Sequence, residues 1–247
     1  MSLDGYIDDA SDARLVLSGA EDLDQVDELR AGCDAILVGA GTIRADNPRL
    51  LLHSESRRQA RIARGAPPDP VRVVLTTSGD LDPTARIFTS GGAARIVYVA
   101  SHAAADLAKR LGGLADVVDA GDPLDLTAVL GDLAGRGVER LMVEGGSSVH
   151  TSFLTAGLAD ELRLAIAPFF VGDSAAPRLV GVGNFPWRPG VPAELTEVRQ
   201  IGNDAVLTYR LGRQASGGAL SGSADKPDRL GQRGDDVGGA DRGVSGR

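Results

Sequence analysis

The chain has 247 residues, 43% of them hydrophobic, and a net charge of −8, with an isoelectric point near 4.9. That length gives one large domain or two small ones with ample material for a core, and the acidity argues against a general nucleic-acid binder or a basic membrane-surface protein. Cys33 is the single cysteine, so no internal disulfide forms, and three histidines without a C-x-x-C or H-x-x-x-H pair give no expectation of a zinc or iron site.

The start, "MSLDGYIDD", has neither the basic region nor the apolar run of a signal peptide. No apolar stretch approaches the roughly 20 residues of a membrane span, and the expected location is the cytoplasm. "DLDQVDELRAGC" places Leu23, Val26, Leu29 and Cys33 on one helical face. "DAILVG" then reads as a short buried strand. Residues 53 to 70 read as a polar connection, and "VRVVLT" and "RIVYVAS" as two further strands. "HAAADLAKRLGG" is a helix stopped by a glycine pair. "ADVVDA" is a strand. "DPLDLTAVLGDLAGRG" is a helix with Leu126, Val129, Leu130 and Leu133 at i, i+3, i+4, i+7. "ERLMVEG" is a strand with the helix "SVHTSFLTAG" behind it. "ADELRLAIAP" is a strand, and "AELTEVRQIGNDAVLTYRL" closes the body as an antiparallel hairpin turning at Gly202-Asn203-Asp204. The body therefore covers residues 1–212. Residues 213–247, rich in Gly, Asp and Arg, carry too little apolar surface to offset their ordering entropy, and a disordered tail is expected there.

Strands alternating with helices predict an α/β fold, with a mixed, mostly parallel central sheet flanked by helices. Ligands in open α/β sheets bind beyond the carboxyl ends of strands. Two strand ends look alike. "AILVGAGTIRADNP" runs from strand through Gly39-Ala40-Gly41 to Thr42. "LMVEGGSSVHTSFL" runs from strand through Glu144 and Gly145-Gly146 to Ser147 and Ser148. Glycine permits close backbone approach and positive φ, and the first N–H groups of a helix attract anions. Two readings stay open for each: ordinary strand-to-helix chemistry, or a phosphate site. Neither is G-x-G-x-x-G or a Walker A loop. Glu144 also reads two ways: a solvated or capping carboxylate, or a group facing a hydroxyl or N–H donor of a neutral ligand moiety.

The stretches "MSLDGYI", "LRAGCDAILVGAGTIRADNPRLL", "VRVVLTTSGDL" and "VEGGSSVHTSFLTAGLADELRLAIAPFFVG", in that order and spacing, resemble the reductase domain of the bifunctional riboflavin-biosynthesis deaminase/reductase. The resemblance covers residues 1 to 211 and implies a dihydrofolate-reductase-like fold with an incomplete first strand. It implies NADPH-dependent reduction of the ribose of 5-amino-6-(5-phosphoribosylamino)uracil, a phosphorylated pyrimidine, to the ribitylamino product. It places Thr42, Asp46, Thr77 and Gly146, Ser147, Ser148, Val149, His150, Thr151 and Ser152 at the cofactor, and Arg30, Leu50 and Glu144 at the substrate. Arg14, Val16 and His53 stand where members carry a serine, a tryptophan and an arginine. Arg14 and His53 are therefore further substrate candidates, and their change admits another pterin or pyrimidine as substrate. A non-catalytic cofactor-binding relic is the remaining alternative. The H-x-E and P-C-x-x-C signature of the zinc deaminase half is absent. No general acid is legible. The terminal hairpin and "APFFVGDSAAPRLVG" offer apolar surface for a homodimer.

Overall fold

The computed structural model describes residues 1–11 and 15–212. Arg14 and the expected tail, residues 213–247, lie outside the described residues. The elements run α1 (Ala20–Ala31), β1 (Ala35–Gly39), α2 (Ala40–Asp46), α3 (Glu55–Ala63), β2 (Val71–Thr76), α4 (Arg86–Thr89), β3 (Arg95–Val99), α5 (Ser101–Leu111), β4 (Asp116–Asp119), α6 (Leu126–Gly135), β5 (Leu141–Val143), α7 (Ser147–Thr155), β6 (Glu161–Ile166), β7 (Glu194–Ile201) and β8 (Asp204–Arg210). No described helix is long and apolar enough to cross a membrane.

The expected parallel strands form a five-stranded sheet in the order β4-β3-β2-β1-β5. Every pairing in it is parallel, with Ala35 opposite Val71 on one side and Leu141 on the other. β1 lies inside the sheet with both faces covered, so its residues Ala35, Ile36, Leu37 and Val38 are all buried. Alternation then sends Ile36, Val38, Val74, Val97 and Val99 into one core with Ile43, Ile87, Phe88, Leu107 and Leu111. Leu37, Val73, Ile96 and Tyr98 enter a second core with Val129, Leu133, Val149 and Phe153. Each such fully buried aliphatic side chain contributes about 1.5–3 kcal/mol. The antiparallel pairings gather in a separate three-stranded sheet, β6-β8-β7, whose hairpin turns at Gly202, φ 58°.

Two local expectations differ from what is observed. The stretch read as a polar connection holds α3, capped by Ser54, whose side chain accepts from the Arg57 N–H. Glu, Arg and Gln are good helix formers, but the buried residue of this helix is Arg61 rather than an aliphatic one, so it carries no apolar stripe to read. In α1, Leu23 is exposed and the buried residues are Asp22 and Asp27. The helix meets arginines on both sides: Asp22 pairs with Arg163 of β6 at 2.6 Å, and Asp27 with Arg57 of α3 at 3.1 Å. Pairing is what allows those charges inside. Arg61 and Arg72 are buried too, but Arg61 donates to the main-chain carbonyls of Ala31, Cys33 and Pro67, and the two terminal nitrogens of Arg72 to those of Arg49, Ser90 and Ala93, leaving its Nε without a partner among the described residues.

Candidate active site

After β1 the chain builds outward through β2, β3 and β4, then returns to place β5 on the other side of β1. β1 and β5 thus flank the topological switch point, and being parallel they end on the same side. The two look-alike turns leave these two strand ends and touch. A Cβ built on Gly145 would lie 3.2 Å from Thr42 Oγ1, and one on Gly146 3.3 Å from it. Gly145 and Gly146 have φ 74° and 87°, and the glycine is required at both. On the other side, a Cβ on Gly39 would come within 2.8 Å of Val149 Cγ2, so that glycine lets α7 pack directly on the end of β1.

α7 starts at Gly146 without a side-chain cap. The Ser147 hydroxyl donates instead to the Arg178 carbonyl. Thr151 donates to the Ser147 carbonyl at 2.6 Å and accepts from Gly181 N–H at 2.8 Å, and Ser152 donates to the Ser148 carbonyl at 2.9 Å. Val149 is buried. What this leaves for a ligand is the outward backbone N–H set of the first turn and the exposed Ser148 hydroxyl. Uncapped N–H groups, the helix dipole and a cradle that any Cβ would fill suit a phosphate or diphosphate. Asp46 follows Thr42 by one helical turn on α2, and Thr77 stands exposed just past β2, whose last residue, Thr76, accepts from Gly79 N–H.

Glu144 continues β5, its N–H donating to the Leu37 carbonyl at 2.8 Å. Its side chain does not wait for a neutral donor. Arg30, in the last turn of α1, grips it with two parallel bonds, Nε to Oε1 at 2.7 Å and a terminal nitrogen to Oε2 at 2.5 Å. The two side chains are 18% and 17% exposed. Burial works against the Arg30 charge, but the hydrogen bonds and charge of Glu144 outweigh it and raise its pKa. One turn earlier, Asp27 accepts from the His53 and Ser54 N–H groups at 2.7 and 3.2 Å. α1 therefore carries Arg30 and also fixes the segment after Leu50. Leu50 is buried with φ 51°, a conformation that costs a branched side chain about 1–2 kcal/mol, and such strain concentrates at ligand sites. The His53 side chain is exposed.

Sequence reasoning named Arg30 and Glu144 separately but did not join them, since they are 114 positions apart. It missed Arg178, whose guanidinium lies 4.5 Å over the Tyr6 ring and donates to the Tyr6 hydroxyl at 3.0 Å, fixing the strap that receives Ser147. His150, named for the cofactor, has its imidazole turned to two main-chain groups, Gly145 N–H at 3.1 Å and the Leu179 carbonyl at 3.2 Å.

A parallel sheet with an anion-type turn at its switch point, joined in one chain to a small antiparallel sheet, is a dihydrofolate-reductase-like α/β arrangement. The chain belongs to the family described as the RibD C-terminal domain, whose model matches residues 1–207. It is 39% identical over 211 residues to the 2,5-diamino-6-ribosylamino-4(3H)-pyrimidinone 5′-phosphate reductase of Methanothermobacter thermautotrophicus, covering 85% of this chain and 94% of that one. The Archaeoglobus fulgidus protein of the same name is 36% identical over 213 residues, covering 86% and 95%. The riboflavin biosynthesis protein RibD of Bacillus amyloliquefaciens is 36% identical over 211 residues, but this chain spans 54% of its length. Among solved structures, a pyrimidine reductase-like protein from Corynebacterium diphtheriae matches with TM-score 0.70 at 22% identity, over 86% of this chain and 89% of that one. The expected family and fold are borne out, and the chain is an oxidoreductase of riboflavin biosynthesis. A nicotinamide cofactor is consistent with that family.

Proposed function

We propose that this chain uses NADPH to reduce the ribose of a phosphorylated ribosylaminopyrimidine to the ribityl form. Its preferred substrate is 2,5-diamino-6-ribosylamino-4(3H)-pyrimidinone 5′-phosphate, ahead of the deaminated 5-amino-6-(5-phosphoribosylamino)uracil. The observation that carries the choice is length with identity: the two relatives that this chain nearly spans, at 39% and 36% identity, are named for the diamino compound. When bound, the reduced nicotinamide supplies hydride for C1′ of the opened ribose.

The rest falls to the chain. The first-turn N–H groups of α7 and the Ser148 hydroxyl hold the diphosphate, with Thr42, Asp46 and Thr77 beside it. The Arg30–Glu144 fork orients the substrate. Both Glu144 oxygens are already occupied by guanidinium donors, so the proton that balances hydride addition is assigned to water or to the substrate's own amine. Leu50 and His53 complete the substrate side. The reading extends to a reductase domain over residues 1–212 working in the cytoplasm as a homodimer. The outer strand β7 favours that assembly: it is exposed from Glu194 to Gln200, with Leu195 and Val198 open to solvent.

Turnover of the two pyrimidines with NADPH, with products identified by mass, tests the reading. The diamino substrate is expected to show kcat/KM at least about fivefold higher, since one mismatched buried hydrogen bond at the 2-position costs about 1–3 kcal/mol. A preference for the uracil would reverse the substrate order. Turnover of dihydrofolate alone would replace the reading.

A further inference from the structure

His150 sits in the second turn of α7, directly behind the glycines. Its Nε2 is 3.1 Å from Gly145 N, and a backbone N–H only donates, so Nε2 must accept. Its Nδ1 is 3.2 Å from the Leu179 carbonyl oxygen, which only accepts, so Nδ1 must carry the proton. Both contacts demand the same species, the neutral Nδ1–H tautomer. The ring thereby bridges two segments: the turn after β5 and the strap at residues 178–181, which also receives the Ser147 hydroxyl and donates Gly181 N–H to Thr151.

Resting on the reading that this turn holds the cofactor, we infer that His150 is a positioning residue: in its neutral form it locks the Gly145–Gly146 turn, and protonation unlocks it and weakens cofactor binding. An imidazolium has donors on both nitrogens. Nε2–H would then face the Gly145 N–H, donor against donor, and one bond becomes a repulsion. The turn has no side-chain cap to replace it. Gly145 and Gly146, at φ 74° and 87°, are free to leave that conformation because glycine has wide alternatives.

The surroundings set the direction of the titration. Burial pushes the His150 pKa down, the Leu179 carbonyl and the Glu144 charge push it up, and the balance is below the ordinary imidazole value of 6.5. Among the described residues Glu144, at the end of β5, is the charged group that acts on the ring, and it is itself neutralised by Arg30 of α1. The strap faces the ring with the Leu179 carbonyl. A lowered pKa means that the locked form prevails at neutral pH and is lost as pH falls through the folded-state value.

The test uses the full chain and NADPH itself. The dissociation constant is measured from pH 7.5 to 5.5 for the native protein and for His150→Gln, whose amide oxygen accepts from Gly145 N–H but does not titrate. NADPH has its own titrating phosphate, so the ratio of the two constants is the readout. The native protein is expected to weaken more steeply than H150Q as pH falls over this range, by up to about fivefold, the size of one lost hydrogen bond. Parallel slopes would overturn the inference. Nitrogen-15 shifts of the imidazole, read at pH 8 without ligand, report the tautomer independently. Any form other than Nδ1–H would overturn the inference whether or not NADPH binds. The Nδ1–H form in a protein that fails to bind NADPH would strike the cofactor reading, and with it the effect of protonation on binding.

Discussion

Arg30→Ala is expected to lower kcat/KM for the pyrimidine by at least about 30-fold while the NADPH dissociation constant stays within about twofold. Truncating one member of a desolvated, hydrogen-bonded ion pair costs about 2–5 kcal/mol, and about 1.4 kcal/mol is a factor of ten. The pair qualifies: two bonds of 2.7 and 2.5 Å between side chains less than a fifth exposed. Glu144→Gln keeps the shape but turns an NH2 toward a guanidinium that has only donors. Its loss should match that of Arg30→Ala, and the double variant should cost little more than either single one, because they remove the same unit. Steady-state kinetics with separate NADPH titrations check this. Unchanged kcat/KM in both variants would make the pair a brace between α1 and β5 with no part in substrate binding.

Gly146→Ala is expected to weaken NADPH binding by about 10- to 100-fold. The residue sits at φ 87° and ψ 115°, a region that side chains essentially never occupy, and holding Ala there costs about 1–3 kcal/mol. The chain escapes that cost by rotating the turn, which carries the first N–H groups of α7 away from their shared focus. The new Cβ would also press on Thr42 Oγ1 from 3.3 Å. Gly131→Ala is the control. It lies within α6 with open space around the Cβ position, and it should add about 0.5–1 kcal/mol of stability. Equilibrium titration of NADPH into both variants decides it. Native affinity in Gly146→Ala would remove the diphosphate from this turn.

The parallel core was legible because buried strands write themselves as short apolar runs, as "AILVG" and "VRVVLT" do. The two glycine turns were legible for the same local reason, and their contact follows from strand order. α1 was misread because Leu23, Val26 and Leu29 look like an inward stripe, while the groups that go inside, Asp22 and Asp27, do so only because Arg163 and Arg57 arrive from distant parts of the chain. The same limit hid the Arg30–Glu144 fork and the imidazole bridge. A residue type and a spacing describe one segment, whereas each of these features is a meeting of two.

The way α1 is fastened also sets the order in which acid takes the molecule apart. For Asp27, burial favours the neutral acid, but the donors from His53, Ser54 and Arg57 prevail and hold its pKa below the usual carboxylate value. A depressed carboxyl stabilises the fold above its unfolded pKa and surrenders that contribution as pH falls through the folded one. Arg61 of α3 holds the Ala31 carbonyl at the end of α1, and Arg72 of β2 holds the Ser90 carbonyl; neither bond has such a titration. Below the ordinary carboxylate range the middle of α1 loosens from the segment after Leu50, while its end stays tied through Ala31.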